Sequence, residues 1–178
     1  KEYGSEILRL WVAMSDYQSD LKISDNILKQ NGELYRKIRN TARFLLANID
    51  DLEEIISVDK MGPLDKWVLN KAKKVFDEIE TAFYAYEFSK GLNKLNNFLV
   101  VDLSGIYLDV CKDRLYCDDK KDIHRLASQS AMALIAKKLI STIAPILTYT
   151  MDELWAFAPA ILKDGCADIF DYKNVELP

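Results

Sequence analysis

The sequence predicts an all-α fold, a helical bundle of about four to five long antiparallel helices. Apolar residues recur three and four positions apart along most of the 178 residues, and strict alternation is almost absent. Apolar residues make up 49% of the chain, and only 6 Gly and 4 Pro interrupt it. A chain of this size buries enough surface to fold without a metal or a disulfide. The composition excludes a disordered chain and a collagen-like fibre.

The first half of the chain contains three predicted helices. A short helix covers residues 5–14, and a long one follows Ser24, whose side chain suits an N-cap, and runs to about Ile49. Pro63 suits the first position of a third helix, whose apolar face extends to Tyr86. Between the second and third helices we expect a connection with a short helical turn at residues 52–56.

The second half contains two more long helices and a short one. The apolar pattern restarts at residues 87–89 and continues to about Tyr116, and the next helix covers residues 123–143. Thr150 and Glu153 have the spacing of a capping box, which predicts the start of a short helix. From Pro159 onward the pattern predicts loop.

Charge and composition exclude several classes of function. The chain has 24 Lys and Arg against 28 Asp and Glu, a net charge of −4, so a nucleic acid would have to bind at a local basic patch. No apolar run approaches the roughly 20 residues that a transmembrane helix needs. Cys111, Cys117 and Cys166 form no CxxC pair, which argues against a zinc knuckle and a disulfide framework. We expect reduced thiols and a cytoplasmic protein.

The sequence contains no recognisable catalytic constellation. His124 is the only histidine and has no nucleophile placed beside it, so we interpret it as a surface residue. The 6 glycines are isolated and form no phosphate-binding loop. Carboxylates at helical spacing are typical of a solvated face rather than of a metal site. We therefore assign no catalytic residue, no metal ligand and no cofactor to this chain.

One basic segment, residues 35–44, stands out because it holds four basic residues and no acid. At 3.6 residues per turn, Arg36, Arg39, Asn40 and Arg43 fall within a stripe of about 100°, and the apolar side chains fall on the opposite face. Guanidinium and amide groups suit phosphates and the edges of unpaired bases. The alternative is a solvated basic face that pairs with acids of a neighbouring helix, and the residues alone leave both open.

A second candidate cluster, Lys112, Arg114 and Tyr116, lies at the predicted end of the fourth helix. Cations with an exposed tyrosine beside a loop are typical of surfaces that stack unpaired bases. Cations are also favoured at the C-terminus of any helix by the helix dipole. This cluster therefore has an ordinary structural explanation as well as a functional one.

A series of short blocks keeps the order and spacing of a known family: YGSEILRLWVA (3–13), SDY (15–17), YRKIRNT (35–41), RFLL (43–46), YEF (86–88), VDLS (101–104), YLD (107–109), KDRLY (112–116), APIL (144–147) and ELW (153–155). Together they resemble isoleucyl-tRNA synthetases, in the stretch after the catalytic domain, over residues 1 to about 158. Valyl and leucyl enzymes share the helical domain and the YRKIRN-like helix more loosely. An anticodon-binding domain of one of those enzymes, or a helical protein-interaction bundle, is the alternative.

The resemblance implies the all-α anticodon-binding domain of a class I synthetase. It places the end of a stem-contact segment at residues 1–25, the helical anticodon-binding domain at 26–158 and a linker towards a further region at 159–178. The chain opens on Lys1 rather than Met, and we expect a piece of a longer protein. The HIGH and KMSKS signatures of the catalytic domain are not in it, so the resemblance implies a piece that is not catalytic alone.

The resemblance also implies the partners and cofactors of the full-length enzyme. That enzyme attaches isoleucine to tRNA(Ile) with ATP and Mg²⁺, and many bacterial members bind Zn²⁺ through a C-terminal cysteine cluster. The implied partner is tRNA(Ile), mainly its anticodon stem-loop, with no DNA, no membrane and a monomeric protein. The helix of residues 35–44 and the helix end of residues 112–116 would face the anticodon loop, with Arg39 and Asn40 foremost. Lys22 would touch the inner side of the tRNA.

Overall fold

The computed structural model describes residues 3–17, 20–171 and 176–178, and these form an all-helical fold without a β-strand. The α-helices are α1 (Ser5–Met14), α2 (Asp25–Ala47), α3 (Pro63–Tyr84), α4 (Phe88–Asn97), α5 (Leu108–Cys117), α6 (Ile123–Ile143), α7 (Thr148–Ala156) and α8 (Ala160–Lys163). A π-helical segment, Phe98–Tyr107, joins α4 to α5, and short 3-10 turns cover Val58–Lys60 and Ile169–Asp171.

The all-α prediction is confirmed, but the predicted number of four to five helices is wrong. Seven α-helices of nine residues or more are present among the described residues. The single helix predicted from residues 87–89 to Tyr116 contains a π-helical segment between two α-helices. The short α8 lies where a loop was predicted, and the turn predicted at residues 52–56 occurs instead at Val58–Lys60.

Several predicted helix ends are confirmed. The Ser24 hydroxyl accepts a hydrogen bond from the Ile27 backbone N–H at 3.3 Å, so Ser24 is the N-cap of α2. Pro63 occupies the first turn of α3, where the missing N–H costs nothing. The bounds of α6 agree with the predicted helix.

The predicted capping box at Thr150 is wrong. Helix α7 begins two residues earlier, and its first N–H groups are capped by a side chain from α1. The Glu6 carboxylate accepts hydrogen bonds from the backbone N–H groups of Tyr149 and Thr150 at 2.9 and 3.2 Å and from the Thr150 hydroxyl. A carboxylate at a helix N-terminus also interacts favourably with the helix dipole. Helix α1 is thereby fixed to the rest of the fold.

The π-helical segment explains why a glycine stands at position 105. A Cβ added at Gly105 would lie 2.9 Å from the backbone oxygen of Val100, closer than such atoms approach in proteins. Gly105 therefore permits the wide turn of the segment. At the end of this turn Tyr107 points into the core and is fully buried.

One end of the molecule brings together the ends of four helices, and we call it the Asp51 end. Arg125 near the start of α6 donates to the Asp51 carboxylate after α2 at 3.0 Å and to the Leu115 carbonyl in α5 at 3.3 Å. Arg114 of α5 lies 3.3 Å from Asp65 at the start of α3. All the helices pack around one apolar core. Within the described residues, no helix combines the length and the apolar character needed to cross a membrane.

Candidate nucleic-acid interface

The four side chains predicted on α2 do form an outward face, which we call the α2 stripe (Arg36, Arg39, Asn40 and Arg43). Arg36, Asn40 and Arg43 are exposed, and Arg39 is half-buried. The opposite face packs into the core, where its aliphatic side chains are fully or nearly fully buried: Ile38, Ala42, Leu45, Leu46 and Ile49. The predicted division of α2 into a basic face and a core face is confirmed.

Most of the charge of the α2 stripe is not neutralised by the protein itself. Within the described residues, neither Arg36 nor Arg43 makes a hydrogen bond or an ion pair. Arg39 has its guanidinium 3.5 Å from the Glu153 carboxylate of α7. The alternative of a basic face paired with acids of a neighbouring helix therefore holds for Arg39 alone. Two guanidiniums remain available to an external anion.

A groove of about 540 Å³ runs between α2 and α7 beside the α2 stripe. Its walls combine two cations, two carboxylates and an aromatic ring with aliphatic residues: Arg39, Arg43, Leu46, Ala47, Asp50, Glu153, Leu154 and Phe157. Phe157 is 78% exposed. Sequence reasoning missed Glu153 and Phe157 as site residues, because Glu153 was assigned to a capping box. Phe157 was predicted to lie in the short helix that follows Thr150, and nothing in the sequence marked its ring as exposed.

The second predicted cluster, at the end of α5, does not form one outward face. Tyr116 is exposed, as predicted. The Lys112 ammonium donates to the Asp109 carboxylate one turn earlier at 2.8 Å, and this hydrogen bond raises the pKa of Lys112 and lowers that of Asp109. Arg114 instead turns towards the interior. The three residues are neighbours in sequence, but only Lys112 and Tyr116 are exposed, and Arg114 is half-buried.

Arg114 belongs to a buried polar network centred on Asp65. Asp65 is 1% exposed and accepts hydrogen bonds from the Tyr107 hydroxyl at 2.7 Å and the Ser128 hydroxyl at 3.1 Å. The Arg114 guanidinium lies 3.3 Å from the same carboxylate and 3.2 Å from the Ser128 oxygen. Burial, together with Cys111 and Asp65, raises the pKa of Tyr107 well above 10.0, so its hydroxyl remains a donor. Arg114 supplies the charge that a buried carboxylate needs.

The match with known proteins places this chain in a family. A family profile described as "Anticodon-binding domain of tRNA ligase" matches residues 65–173. The chain belongs to the anticodon-binding domain family of tRNA ligases. The profile covers α3 to the 3-10 turn after α8, so the α5 end and Arg114 lie inside the matched region and the α2 stripe lies before it.

Individual relatives extend the similarity over the whole chain. It is 92% identical over all 178 residues to an isoleucine–tRNA ligase of Aliarcobacter butzleri (strain RM4018), where it covers 19% of that protein. It is 65% identical over all 178 residues to the isoleucine–tRNA ligase of a Nitratiruptor species, covering 19% of it. The enzyme of Campylobacter fetus subsp. fetus (strain 82-40) is 65% identical over 171 residues, which are 96% of this chain and 18% of that protein.

These comparisons favour the isoleucyl resemblance over the two alternatives, the valyl or leucyl enzymes and a protein-interaction bundle. The chain spans about a fifth of the length of these relatives. The α2 stripe, which the family profile does not reach, lies within the region of high identity to the isoleucine–tRNA ligases.

Lys22 is not brought to the α2 stripe. It is exposed in the connection before α2. Because α2 has 23 residues and is about 35 Å long, Lys22 lies far from the Asp51 end. The predicted contact of Lys22 with RNA is therefore a separate prediction from the anticodon contacts predicted for the α2 stripe.

The described residues contain no group of three His, Cys, Asp or Glu that could hold a metal. The thiol of Cys111 is buried, Cys117 is exposed and Cys166 is half-buried, and all three are free. The backbone N–H of His124 donates to the Asp122 side chain, which is the N-cap of α6, and the residue is exposed.

Proposed function

We propose that this chain binds the anticodon stem-loop of tRNA(Ile) and is the anticodon-binding domain of an isoleucine–tRNA ligase. The observation that carries the proposal is the α2 stripe, in which Arg36 and Arg43 are exposed cations without an internal partner among the described residues. They lie beside an open groove on a chain whose net charge is −4. A local cationic face on an acidic protein attracts RNA at one place and discourages binding elsewhere.

The Asp51 end supports the proposal because it offers more than one kind of RNA contact. The end of α2 carries Arg43, and the end of α5 carries Tyr116 and Lys112. Both ends approach the start of α6, since Arg125 bonds to Asp51 after α2 and to the last turn of α5. Unpaired loops are recognised by stacking and by contacts to base edges, for which exposed aromatic and arginine side chains are suited. A rigid bundle would present these groups at a fixed distance from a distant active site.

The proposal includes the finer architecture and the division of the chain. We assign residues 1–25 to the end of a stem-contact segment, with Lys22 against the tRNA. Residues 26–158 form the antiparallel bundle of a class I synthetase anticodon-binding domain, and residues 159–178 lead to a further region. The docking of α1 onto α7 through Glu6 supports a stem-contact segment that is held rigidly against the bundle.

The ligase reaction belongs to the parent protein in this proposal. Attachment of isoleucine to tRNA(Ile) with ATP and Mg²⁺ would be carried out by residues outside this chain, which spans 19% of the isoleucine–tRNA ligases it matches. The same holds for Zn²⁺. We propose a cytoplasmic, monomeric parent enzyme, in which this chain positions the tRNA and takes no part in the chemistry.

A titration with labelled tRNA tests the proposal. Wild-type chain is titrated with tRNA(Ile) and with a copy carrying a swapped anticodon, each at a low and a high salt concentration. We expect a preference for the native anticodon that persists at the higher salt, since base contacts are less sensitive to salt than phosphate contacts. Equal binding of both RNAs, abolished by salt, would contradict anticodon recognition by this chain.

A further inference from the structure

The groove between α2 and α7 is the surface feature that the proposed contacts leave without an occupant. We infer that it holds one unpaired RNA base, stacked on Phe157 and hydrogen-bonded through its N–H edge to Glu153. The inference rests on the proposed RNA-binding function and adds two residues to it. It assigns Phe157 and Glu153 to base recognition, and Arg36 and Arg43 to the RNA backbone.

Phe157 has the exposure expected of a stacking side chain. It follows α7 directly, and its neighbours Leu154 and Trp155 are buried while its own ring is 78% exposed. A phenylalanine side chain has no group that can hydrogen-bond to water, so its exposure leaves an apolar ring face in contact with solvent. Bases stack on such rings without regard to sequence because every base has an aromatic face.

The carboxylates of the groove make it unsuitable for a phosphate and suitable for a base. Glu153 and Asp50 line the groove together with Arg39 and Arg43, so a phosphate inside it would meet two like charges. A carboxylate accepts hydrogen bonds only, and the bases supply N–H donors on their Watson–Crick edges. Two carboxylate oxygens match two adjacent N–H donors best, in the way they match the fork of a guanidinium. The expected preference is for guanine over bases with a single donor.

The contact between Arg39 and Glu153 positions the carboxylate without consuming it. Their nearest atoms are 3.5 Å apart, which is longer than a normal charge-assisted hydrogen bond. Glu153 is 55% exposed and can accept further hydrogen bonds. Arg39 is accordingly a positioning residue for Glu153 in addition to any contact of its own.

The stacking part is tested by removing bases one at a time. The probe is the anticodon stem-loop of tRNA(Ile), with a series of copies in which each loop base in turn is abasic. For the wild-type chain, one abasic copy should bind about 5- to 100-fold more weakly, the range for loss of one stacked base. In Phe157→Leu this difference should fall to about a third or less. Tyr84 is an aromatic residue at the far end of α3 that is 86% exposed, and Tyr84→Leu should leave the difference unchanged.

The base-edge part is tested at the loop position that the abasic series identifies. Stem-loops with each of the four bases there are compared in wild type and Glu153→Gln. We expect the preference for guanine over uracil to shrink by about fivefold or more in Glu153→Gln, since a neutral amide presents one acceptor and one donor. Asp152→Asn, which removes the same charge from the adjacent exposed residue, should tighten all four RNAs equally and keep the preference.

Two outcomes would overturn the inference, and they are distinguishable from failure of the proposed function. If the wild-type chain binds the stem-loop but Phe157→Leu shows the same abasic differences, no base stacks on Phe157. If Glu153→Gln tightens all RNAs equally, Glu153 only restrains Arg39. If the wild-type chain does not bind the stem-loop at all, the proposed function fails and the inference fails with it.

Discussion

The six arginines of the chain divide into two groups of three with opposite surroundings. Arg9, Arg114 and Arg125 bond to the protein's own oxygens: backbone carbonyls of Pro145 and Ile146, the buried Asp65, and the Asp51 carboxylate. The three arginines of the α2 stripe have one internal contact among them within the described residues, at 3.5 Å.

The difference teaches that the fold, and not the local density of charge, decides what an arginine does. Arg114 stands in a basic cluster much as Arg43 does, yet it neutralises a buried carboxylate. A guanidinium with a buried internal acceptor stabilises the fold, and one without remains available to a partner. We therefore expect the two groups to respond oppositely in stability and in RNA binding.

The largest expected effect is on stability, in Arg114→Ala. Removing this guanidinium leaves Asp65 charged and buried, which should lower the free energy of unfolding by about 3 kcal/mol, at the low end for a broken buried pair because Arg114 is 28% exposed. Urea unfolding followed by circular dichroism measures the loss. Arg43→Ala is the matched control and should change it by under about 0.5 kcal/mol. Equal losses of unfolding free energy in Arg114→Ala and Arg43→Ala would contradict the division of the arginines into two groups.

The next largest effect is a recovery of stability by a second substitution, which tests whether the charge of Asp65 causes the loss in Arg114→Ala. In Arg114→Ala, a second change of Asp65→Asn should recover about 1–3 kcal/mol, because the buried side chain no longer carries an uncompensated charge. Asp65→Asn alone should be destabilising. The double-mutant cycle from urea unfolding gives the coupling energy. A coupling near zero would mean that Arg114 stabilises the fold by packing and not by its charge.

A smaller effect is expected on the salt dependence of RNA binding. In the double variant Arg36→Ala and Arg43→Ala, the slope of log affinity against log salt should fall by about 0.7 for each lost phosphate contact to unpaired RNA. Fluorescence titrations of tRNA(Ile) at several salt concentrations give the slope, and the free energy of unfolding should be unchanged. Lys90→Ala with Lys94→Ala removes equal charge from α4 and should leave the slope as in wild type. A slope reduced equally by both pairs would point to net charge alone.

The smallest effect concerns pH and the contact that holds the Asp51 end together. Burial alone would raise the pKa of Asp51, but hydrogen bonds from Gln129 and Arg125 and the charges of Arg125 and Lys120 outweigh it and hold that pKa below 3.8. A carboxyl with a lowered pKa stabilises the fold above its unfolded pKa, and this stabilisation is lost as the pH falls through the folded pKa. The loss should be under about 1 kcal/mol, because 30% of the Asp51 side chain is exposed and part of its interaction is with the exposed Lys120.

Asp51→Asn checks the pH prediction. Between about pH 6 and pH 3, its urea midpoint should drop less than that of wild type, since the substituted side chain does not titrate. A drop of the same size in both proteins would assign the acid sensitivity to other carboxyls. Asp109→Asn is the control. The pKa of Asp109 is also lowered, but its ion pair with Lys112 is exposed and lies within a single helix.

The fold class and the α2 stripe could be predicted because both follow from spacing along one helix. Arg36, Arg39 and Arg43 lie on one face by the geometry of 3.6 residues per turn, and Ile38 and Leu45 then necessarily lie on the other. No long-range contact is needed for that conclusion. The same is true of Ser24, whose capping hydrogen bond spans three residues.

The features that could not be predicted depend on contacts between distant positions. Asp65 meets Arg114 across 49 positions, and Glu6 caps α7 across 144. An acid in the first turn of a helix, such as Asp65, ordinarily faces solvent, so nothing local marks it as buried. Phe157 became a candidate only when α7 was placed beside α2, because a groove requires two walls.

The most direct test observes all six arginines at once. The side-chain Nε–Hε signals of the ¹⁵N-labelled chain are followed by NMR as the anticodon stem-loop of tRNA(Ile) is added. We predict that the signals of Arg36, Arg39 and Arg43 shift, while those of Arg9, Arg114 and Arg125 keep their positions. Shifts at Arg114 with an unchanged α2 stripe would contradict the division of the arginines into two groups.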